Sequence, residues 1–351
     1  MMRSTSKDIK SMIGQMIISG IRGTQPEDAK NFFQSLDGLT IGGVILYDQN
    51  VSTNPPSPHN IQSSEQVKSL NAELQTCSNV PLFIGVDQEG GQVNRLKNEY
   101  GFPDSQSWAD IGALESKSKT KSHSEGIAVT LIDHGLNMNF APVLDLPIHP
   151  ENIIVQKNRC FSNDPKSIAI HAKQFIYAHL KHQVIPVCKH FPGQGSAAED
   201  THEGFVDVSD KWTENELIPY QHLINNSCLP AIMTSHIFHQ KLDPDYPATL
   251  SPKILTDLLR NKMGFNGVIV SDDPQMGAIA DHYNLKTVVK LMINAGIDMF
   301  CFGNNLVYDP NIVKKVYSVT LELLGEGSIT TQQIETAYQR IIKLKSMVGL
   351  A

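Results

Sequence analysis

Eight short apolar runs, spaced along the whole chain, are the feature of this sequence that most constrains its fold. They cover residues 13–21, 41–47, 82–87, 136–142, 185–189, 231–235, 268–272 and 299–302. Each run is almost continuous in Val, Ile, Leu and Met, which is typical of parallel strands buried on both faces. The intervals are long enough for crossover helices. The pattern therefore predicts an α/β fold, a single (β/α)₈ barrel of the TIM type.

The length and composition agree with one elaborated barrel, because barrels of this type commonly exceed about 250 residues. The chain has 351 residues, of which 40% are hydrophobic and 19% charged, as in a globular enzyme. We find no internal repeat and no second-domain boundary. Residues 1–351 are therefore expected to form a single catalytic barrel domain.

Charge and cysteine usage limit the partners and the compartment. The net charge of −7 is spread along the chain, so neither nucleic acid nor a membrane is expected as a partner. The N-terminal residues lack a signal-peptide pattern, and no segment approaches the roughly 18 to 20 apolar residues that span a bilayer. The five cysteines form no CxxC pair, which argues against a disulfide framework or a structural zinc site. These features predict a cytoplasmic protein and leave its oligomeric state open.

Polar side chains follow four of the predicted strands at the point where each strand ends. Asp87 ends the third run, Lys189 and His190 the fifth, Ser235 and His236 the sixth, and Ser271, Asp272 and Asp273 the seventh. The carboxyl ends of all strands meet at one mouth of a barrel, where active sites are built. We therefore expect the active site at the C-terminal strand ends.

Two local patterns predict structure outside the strands. Thr330 and Gln333 have the spacing of a capping box before the C-terminal helix. Residues 48–64 contain Pro55, Pro56 and Pro58, which indicate a surface loop.

Four segments carry a family resemblance. They are VDQEGGQVNRL at 86–96, NRCF at 158–161, KHFPGQG at 189–195 followed by DTH at 200–202, and GVIVSDD at 267–273. Together they resemble family 3 glycoside hydrolases, and most closely the β-N-acetylglucosaminidase branch of that family.

The resemblance implies a role for each matching residue. Asp272 matches the nucleophile, and His202, with Asp200 beside it, matches the proton donor. The residues that match the family's sugar-binding groups are Asp87, Arg95, Arg159, Lys189 and His190. The implied activity is retaining hydrolysis of terminal β-linked N-acetylglucosamine through a covalent glycosyl-enzyme, with no metal or cofactor. The small-molecule carbohydrate substrate would be a peptidoglycan-derived anhydromuropeptide, as in the family's cytoplasmic recycling enzymes.

The chemistry of the side chains agrees with these roles. A retaining glycosidase needs one carboxylate to attack the anomeric carbon and an acid to protonate the leaving oxygen. Asp272 follows a predicted strand, where a nucleophile can be held rigidly. His202 has an imidazole that titrates near neutral pH, and Asp200 can orient it.

Structural roles are open for several of these residues. Asp272 could cap the following helix, although Asp273 suits that role better. Lys189 could form a buried ion pair with a carboxylate such as Asp145. Glu89 is an alternative to Asp87 in sugar binding. The family pattern also has other residues at Gln92, Cys160 and Gln194, and these departures concern the loops and hence substrate preference.

Three alternative functions are compatible with the same residues. Phosphorolysis is one, because a histidine acid does not repel an incoming phosphate as a carboxylate would. A metal-dependent hydrolase is another, although its histidines lack HxH or HExxH spacing; its ligands would be His190, His202, His236 and His239 with Asp87 and Asp272. A non-catalytic sugar-binding barrel would not need Asp272 and His202 together.

Overall fold

The computed structural model describes residues 6–201 and 204–351, and all eight predicted strands are present in it. The barrel strands are β1 (Ile17–Gly20), β2 (Gly43–Ile45), β3 (Phe83–Val86), β4 (Met138–Asn139), β5 (Ile185–Phe191), β6 (Ala231–Thr234), β7 (Val268–Val270) and β8 (Phe300–Phe302). They form one sheet in the order β7-β6-β5-β4-β3-β2-β1-β8, and every pairing is parallel. A parallel bridge between Val270 and Met299 joins the two ends of the sheet. The predicted (β/α)₈ barrel is therefore confirmed.

Helices follow each strand and cover the outside of the barrel. They are α1 (Ser6–Gln15), α2 (Pro26–Ser35), α3 (Ser64–Cys77), α4 (Trp108–Ala113), α5 (Lys117–Asp133), α6 (Ile153–Gln156), α7 (Pro165–Lys181), α8 (Ile218–Asn225), α9 (Gly277–Ala280), α10 (Leu285–Ala295), α11 (Ile312–Gly325) and α12 (Thr331–Ser346). A π-helix at Lys253–Lys262 lies between β6 and β7. The capping box predicted at Thr330 and Gln333 begins α12.

Burial of both faces of each strand explains the continuous apolar runs. All seven residues of β5 are buried, because one set of side chains fills the barrel and the other packs under the helices. At the barrel mouth, Lys189 and His190 near the end of β5 and Asp272 after β7 lie where the apolar interior ends, so their polar groups can meet a ligand.

One predicted boundary is wrong. The first run was expected to be a strand from residue 13, but α1 continues to Gln15 and β1 begins at Ile17. Ile13 is fully buried on α1, and a short apolar run is ambiguous between a helix end and a strand. The loop at 48–64 contains a short antiparallel hairpin, which pairs Gln49–Asn50 with Ser57–Pro58.

No helix within the described ranges has both the length and the apolar character needed to cross a membrane.

Lys345 of α12 is buried at the opposite end of the barrel from the mouth. Its side chain is 1% exposed, and its Nζ donates to Gln15 Oε1 at 2.6 Å and to the Pro81 carbonyl. Both acceptors are uncharged amide oxygens. Burial lowers the pKa of Lys345 to about 7.

The free energy of unfolding is expected to depend on pH through Lys345. Between about pH 7 and 10 the unfolded chain binds the lysine proton and the folded chain does not, so folded stability rises with pH across this window. Relative to Lys345→Met, the wild type should gain about 1 kcal/mol per pH unit from pH 7 to 9. Urea unfolding at several pH values measures this difference. Lys343→Met, at an exposed site on the same helix, is the control. If the free energy of unfolding of Lys345→Met relative to wild type is as independent of pH as that of Lys343→Met, the expectation is contradicted.

Candidate active site at the barrel mouth

A cavity of about 450 Å³ opens at the C-terminal ends of the strands. Seven of the predicted site residues line it: Asp87, Arg95, Arg159, Lys189, His190, Asp200 and Asp272. These residues are spread over almost 190 positions of the sequence. The barrel therefore brings them together as the strand-end pattern predicts. The eighth predicted residue, His202, lies outside the described residues.

Asp272 is held by backbone interactions directly after β7. Its backbone N–H donates to Thr234 Oγ1 at 3.3 Å, and its Oδ1 accepts from the Asp273 N–H at 2.8 Å. The side chain is partly exposed and borders the cavity. A carboxylate held by a rigid strand end, with access to a ligand, has the placement that nucleophilic attack requires.

The capping alternative describes Asp273, which caps the turn that leads into α9, but neither aspartate caps the helix itself. The N-cap residue of α9 is Met276, whose side chain makes no capping hydrogen bond. Asp273 instead accepts from the Gln275 N–H through Oδ1 at 3.0 Å, which forms a local turn. Neither Asp272 nor Asp273 is the N-cap of that helix.

Two cations and two carboxylates form a buried ion-pair network on one wall of the cavity. Lys189 Nζ lies 2.6 Å from Asp87 Oδ1 and 2.8 Å from Glu89 Oε1. Arg159 donates two parallel hydrogen bonds to Glu89, from Nε to Oε2 and from Nη2 to Oε1, both at 2.8 Å. A fork of this kind fixes the planes of both groups. Asp87 is the more exposed carboxylate of the network, at 17% against 0% for Glu89.

The network keeps its members charged despite their burial. Burial alone would raise the pKa of Glu89, but attraction to the Arg159 and Lys189 cations lowers it well below its usual range. Burial alone would lower the pKa of Lys189, but Asp87 and Glu89 together raise it. Lys189 is therefore a cation at neutral pH and can only donate hydrogen bonds.

Two sequence alternatives are corrected by this geometry. Lys189 does form a buried ion pair, but with Asp87 and Glu89 and not with Asp145. Asp145 is instead the partner of His190, with Oδ2 at 2.7 Å from Nδ1. Glu89 is fully buried and saturated by two cations, so Asp87 is the carboxylate better placed to meet a ligand.

Tyr47, Asp48, Cys301 and Asn305 also line the cavity, although sequence reasoning did not select them. Asp48 Oδ1 lies 3.5 Å from Arg95 Nη1, and Asp48 Oδ2 lies 2.7 Å from Lys97 Nζ. Asp48 therefore helps to hold the predicted sugar-binding arginine in position. Tyr47 and Asp48 follow β2, Asn305 follows β8, and Cys301 lies within β8. The strand-end rule that selected Asp87 and Asp272 would have found Tyr47, Asp48 and Asn305 if it had been applied to every strand.

His236, which follows β6, is engaged within the protein. His236 has Nδ1 at 2.8 Å from Thr249 Oγ1 and Nε2 at 2.9 Å from the Asp273 carbonyl. Across residues 6–201 and 204–351, no three His, Cys, Asp or Glu side chains are arranged to hold a metal ion.

A second groove of about 420 Å³ lies at the opposite end of the barrel, before β6 and β7. In the described part of the chain its lining includes Arg340 and Lys343 but neither Asp nor Glu. Of the two cavities, the mouth is therefore the one with carboxylates for acid and nucleophile chemistry.

The fold and the mouth define a barrel enzyme with the carboxylates and cationic clamps of a glycoside hydrolase. The chain belongs to glycosyl hydrolase family 3, because the family description "Glycosyl hydrolase family 3 N terminal domain" matches residues 8–344. The predicted family and its class of enzyme are thereby confirmed.

Three relatives show what the chain is similar to. Beta-hexosaminidase A of Pseudoalteromonas piscicida is 32% identical over 331 residues, which are 87% of this chain and 53% of the relative. An uncharacterized secreted glycosyl hydrolase of Arthroderma benhamiae is 28% identical over 97% of this chain and 94% of its own length. The structure of a family 3 β-N-acetylglucosaminidase from Paenibacillus sp. str. FPU-7 has a TM-score of 0.86 and 28% identity, and covers 97% of this chain and 62% of that chain. The chain thus spans about half the length of the first relative and under two thirds of the solved structure.

Proposed function

We propose that this protein is a retaining β-N-acetylglucosaminidase that removes terminal, non-reducing, β-linked N-acetylglucosamine. The observation that carries the proposal is the cavity itself, which collects Asp272, Asp200 and five polar sugar-binding candidates at one mouth. The names of the Pseudoalteromonas and Paenibacillus relatives support the same activity. We further propose that residues 1–351 form a single catalytic barrel domain.

The proposed reaction has two steps. In the first, a carboxylate oxygen of Asp272 attacks the anomeric carbon, the bond to the leaving oxygen breaks, and His202 gives its proton to that oxygen. In the second, the same histidine takes a proton from water, and the resulting hydroxide equivalent releases N-acetylglucosamine and restores Asp272. Asp200, which borders the cavity, would orient the imidazole.

The ion-pair network would bind the sugar. Asp87 has a partly exposed carboxylate that can accept from a hydroxyl, while Lys189 beside it can donate to the same hydroxyl. Arg159 and Arg95 would complete the polar surround. Since each of these groups is already oriented by a protein partner, sugar binding would require little reordering.

Product analysis tests the proposed activity and separates its alternatives. Three substrates are compared by mass spectrometry: an N-acetylglucosaminyl-anhydromuramic acid fragment, chitobiose and a chromogenic β-glucoside. We expect free N-acetylglucosamine, with the first substrate preferred and the glucoside poor, because a site built on hydrogen bonds discriminates against a missing acetamido group. Comparable turnover of the glucoside, or no turnover of any substrate, would overturn the proposal.

The same assay decides between hydrolysis and its alternatives. Sugar 1-phosphate formed when phosphate is added would indicate a phosphorylase. Activity lost after exhaustive chelation and restored by zinc would indicate a metal-dependent enzyme. A preference for the anhydromuramic fragment would support a role in peptidoglycan recycling. The cytoplasmic location stays a prediction, since the Arthroderma relative is described as secreted, and cell fractionation tests it.

His202→Ala is expected to slow glycosylation in proportion to how much the leaving group needs a proton. With a natural disaccharide the loss should be roughly 10² to 10⁴ in rate, the usual contribution of general acid catalysis. With an acidic dinitrophenyl glycoside it should be much smaller, because that leaving group departs without protonation. Asp200→Ala should follow the same pattern more weakly. Single-turnover rates isolate the step, and equal losses for both substrates would assign His202 to positioning.

A further inference from the structure

We infer that Asp145 is a positioning residue that sets the tautomer of His190 and fixes the start of the loop that leads to Asp200. The inference rests on the proposed function, because it concerns how the same cavity binds its sugar. Asp145 follows β4, its side chain is completely buried, and it does not itself line the cavity.

Both oxygens of Asp145 accept hydrogen bonds from this part of the mouth. Oδ2 lies 2.7 Å from His190 Nδ1, and Oδ1 lies 2.8 Å from the Gln194 backbone nitrogen. A backbone N–H is always a donor, and an ionised carboxylate can only accept. The geometry therefore places the histidine proton on Nδ1, facing Asp145.

This tautomer gives the cavity a hydrogen-bond acceptor beside a donor. In the tautomer with its proton on Nδ1, turned to Asp145, His190 presents Nε2 as a hydrogen-bond acceptor at the cavity wall. Its chain neighbour Lys189 can only donate, because the nearby carboxylates raise its pKa. A sugar hydroxyl both donates and accepts, so two adjacent residues with opposite capacities suit it. The opposite tautomer of His190 would place two donors side by side.

The second oxygen extends the influence of Asp145 along the loop. The Gln194 side chain accepts from Ser235 Oγ through Oε1 at 2.8 Å and donates from Nε2 to Thr201 Oγ1 at 3.3 Å. Gln194 thus joins the loop after β5 to the end of β6 and to the residue that follows Asp200. Gln194, which departs from the family pattern, makes this connection with an amide that does not titrate.

Asp145→Asn is the informative variant, because it preserves size and can still accept from the Gln194 N–H. Its amide would then donate to His190 Nδ1 and move the histidine proton to Nε2. Nitrogen-15 NMR of labelled histidine distinguishes the two tautomers, with the His190 signals identified by their loss in His190→Gln. We expect an Nδ1–H tautomer in the wild type and an Nε2–H tautomer in Asp145→Asn.

Kinetics on the N-acetylglucosaminyl substrate should follow the tautomer. We expect kcat/KM to fall about 10- to 100-fold, mostly through KM, because a buried hydrogen-bonding group loses its match to the substrate. Asp298→Asn is the matched control. Asp298 is equally buried but lies before β8 at the other end of the barrel, where it binds Arg260 and Arg340. This control should lose stability and leave the KM of the folded fraction unchanged.

Several outcomes would overturn the inference. A wild-type Nε2–H tautomer would do so even if every variant failed to fold, and so would an unchanged tautomer in a folded Asp145→Asn protein. Equal KM changes in Asp145→Asn and Asp298→Asn would assign Asp145 to stability alone. The NMR result does not depend on turnover, so it distinguishes failure of this inference from failure of the proposed glycosidase activity.

Discussion

Asp272→Ala is expected to abolish turnover while leaving the protein folded. Removal of the attacking oxygen should cost about 4 kcal/mol or more of transition-state stabilisation, which corresponds to a loss of about 10³-fold or more in kcat. The fold should tolerate the change, because the side chain is partly exposed and the backbone bond to Thr234 Oγ1 is kept. Steady-state kinetics and circular dichroism measure the two effects.

A covalent trap tests the same assignment directly. A fluorosugar with an activated leaving group should form a stoichiometric adduct with the wild type. The reason is that the glycosyl ester forms quickly and is then hydrolysed slowly. Peptide mass spectrometry should locate the adduct on Asp272. Asp281→Ala, at an exposed aspartate of the same segment, is the control and should behave as wild type. An adduct on another carboxylate, or normal turnover by Asp272→Ala, would remove the nucleophile assignment.

Glu89→Ala is expected to have the largest effect on stability. The substitution would leave Arg159 and Lys189 without the carboxylate that both contact. These groups are buried in the cavity wall, where the side chain of Glu89 is 0% exposed and that of Lys189 is 3% exposed. Breaking a buried ion pair from one side typically costs about 3 to 5 kcal/mol, because the remaining charge stays buried without its partner. Urea denaturation should show this loss, and KM should rise because Lys189 would be held by Asp87 alone.

The comparison variant is Glu125→Ala, which removes an exposed ion pair with Lys181. Exposed pairs contribute little to folding, so its unfolding midpoint should not change measurably. The unfolding midpoint of Glu89→Gln should lie between those of Glu89→Ala and Glu125→Ala. Glutamine keeps the shape of the side chain but turns an amide N–H toward a cation. A midpoint for Glu89→Ala equal to that of Glu125→Ala would show that the two cations relax to solvent without cost.

The sequence predicted the barrel because its signals are local. Each strand is marked by a continuous run of apolar residues, and Asp87, Lys189 and Asp272 interrupt such runs where the strands end. Parallel closure then requires these ends to meet, so the position of the cavity follows from the fold class. The start of β1 was mistaken because α1 ends in the same apolar run, and periodicity over so few residues does not separate helix from strand.

The pairing of side chains within the cavity was decided only by the tertiary structure. Lys189 meets Asp87 across 102 positions of sequence, and Arg159 meets Glu89 across 70. The sequence offered Asp145 as an example of a carboxylate partner for Lys189, because charge complementarity alone does not rank the possible partners. The side on which a strand-end residue projects depends on its register in the closed sheet, and a shift of one residue reverses it. That register follows from the packing of all eight strands together. As a result, Asp145 contacts His190, and Lys189 pairs with Asp87 and Glu89.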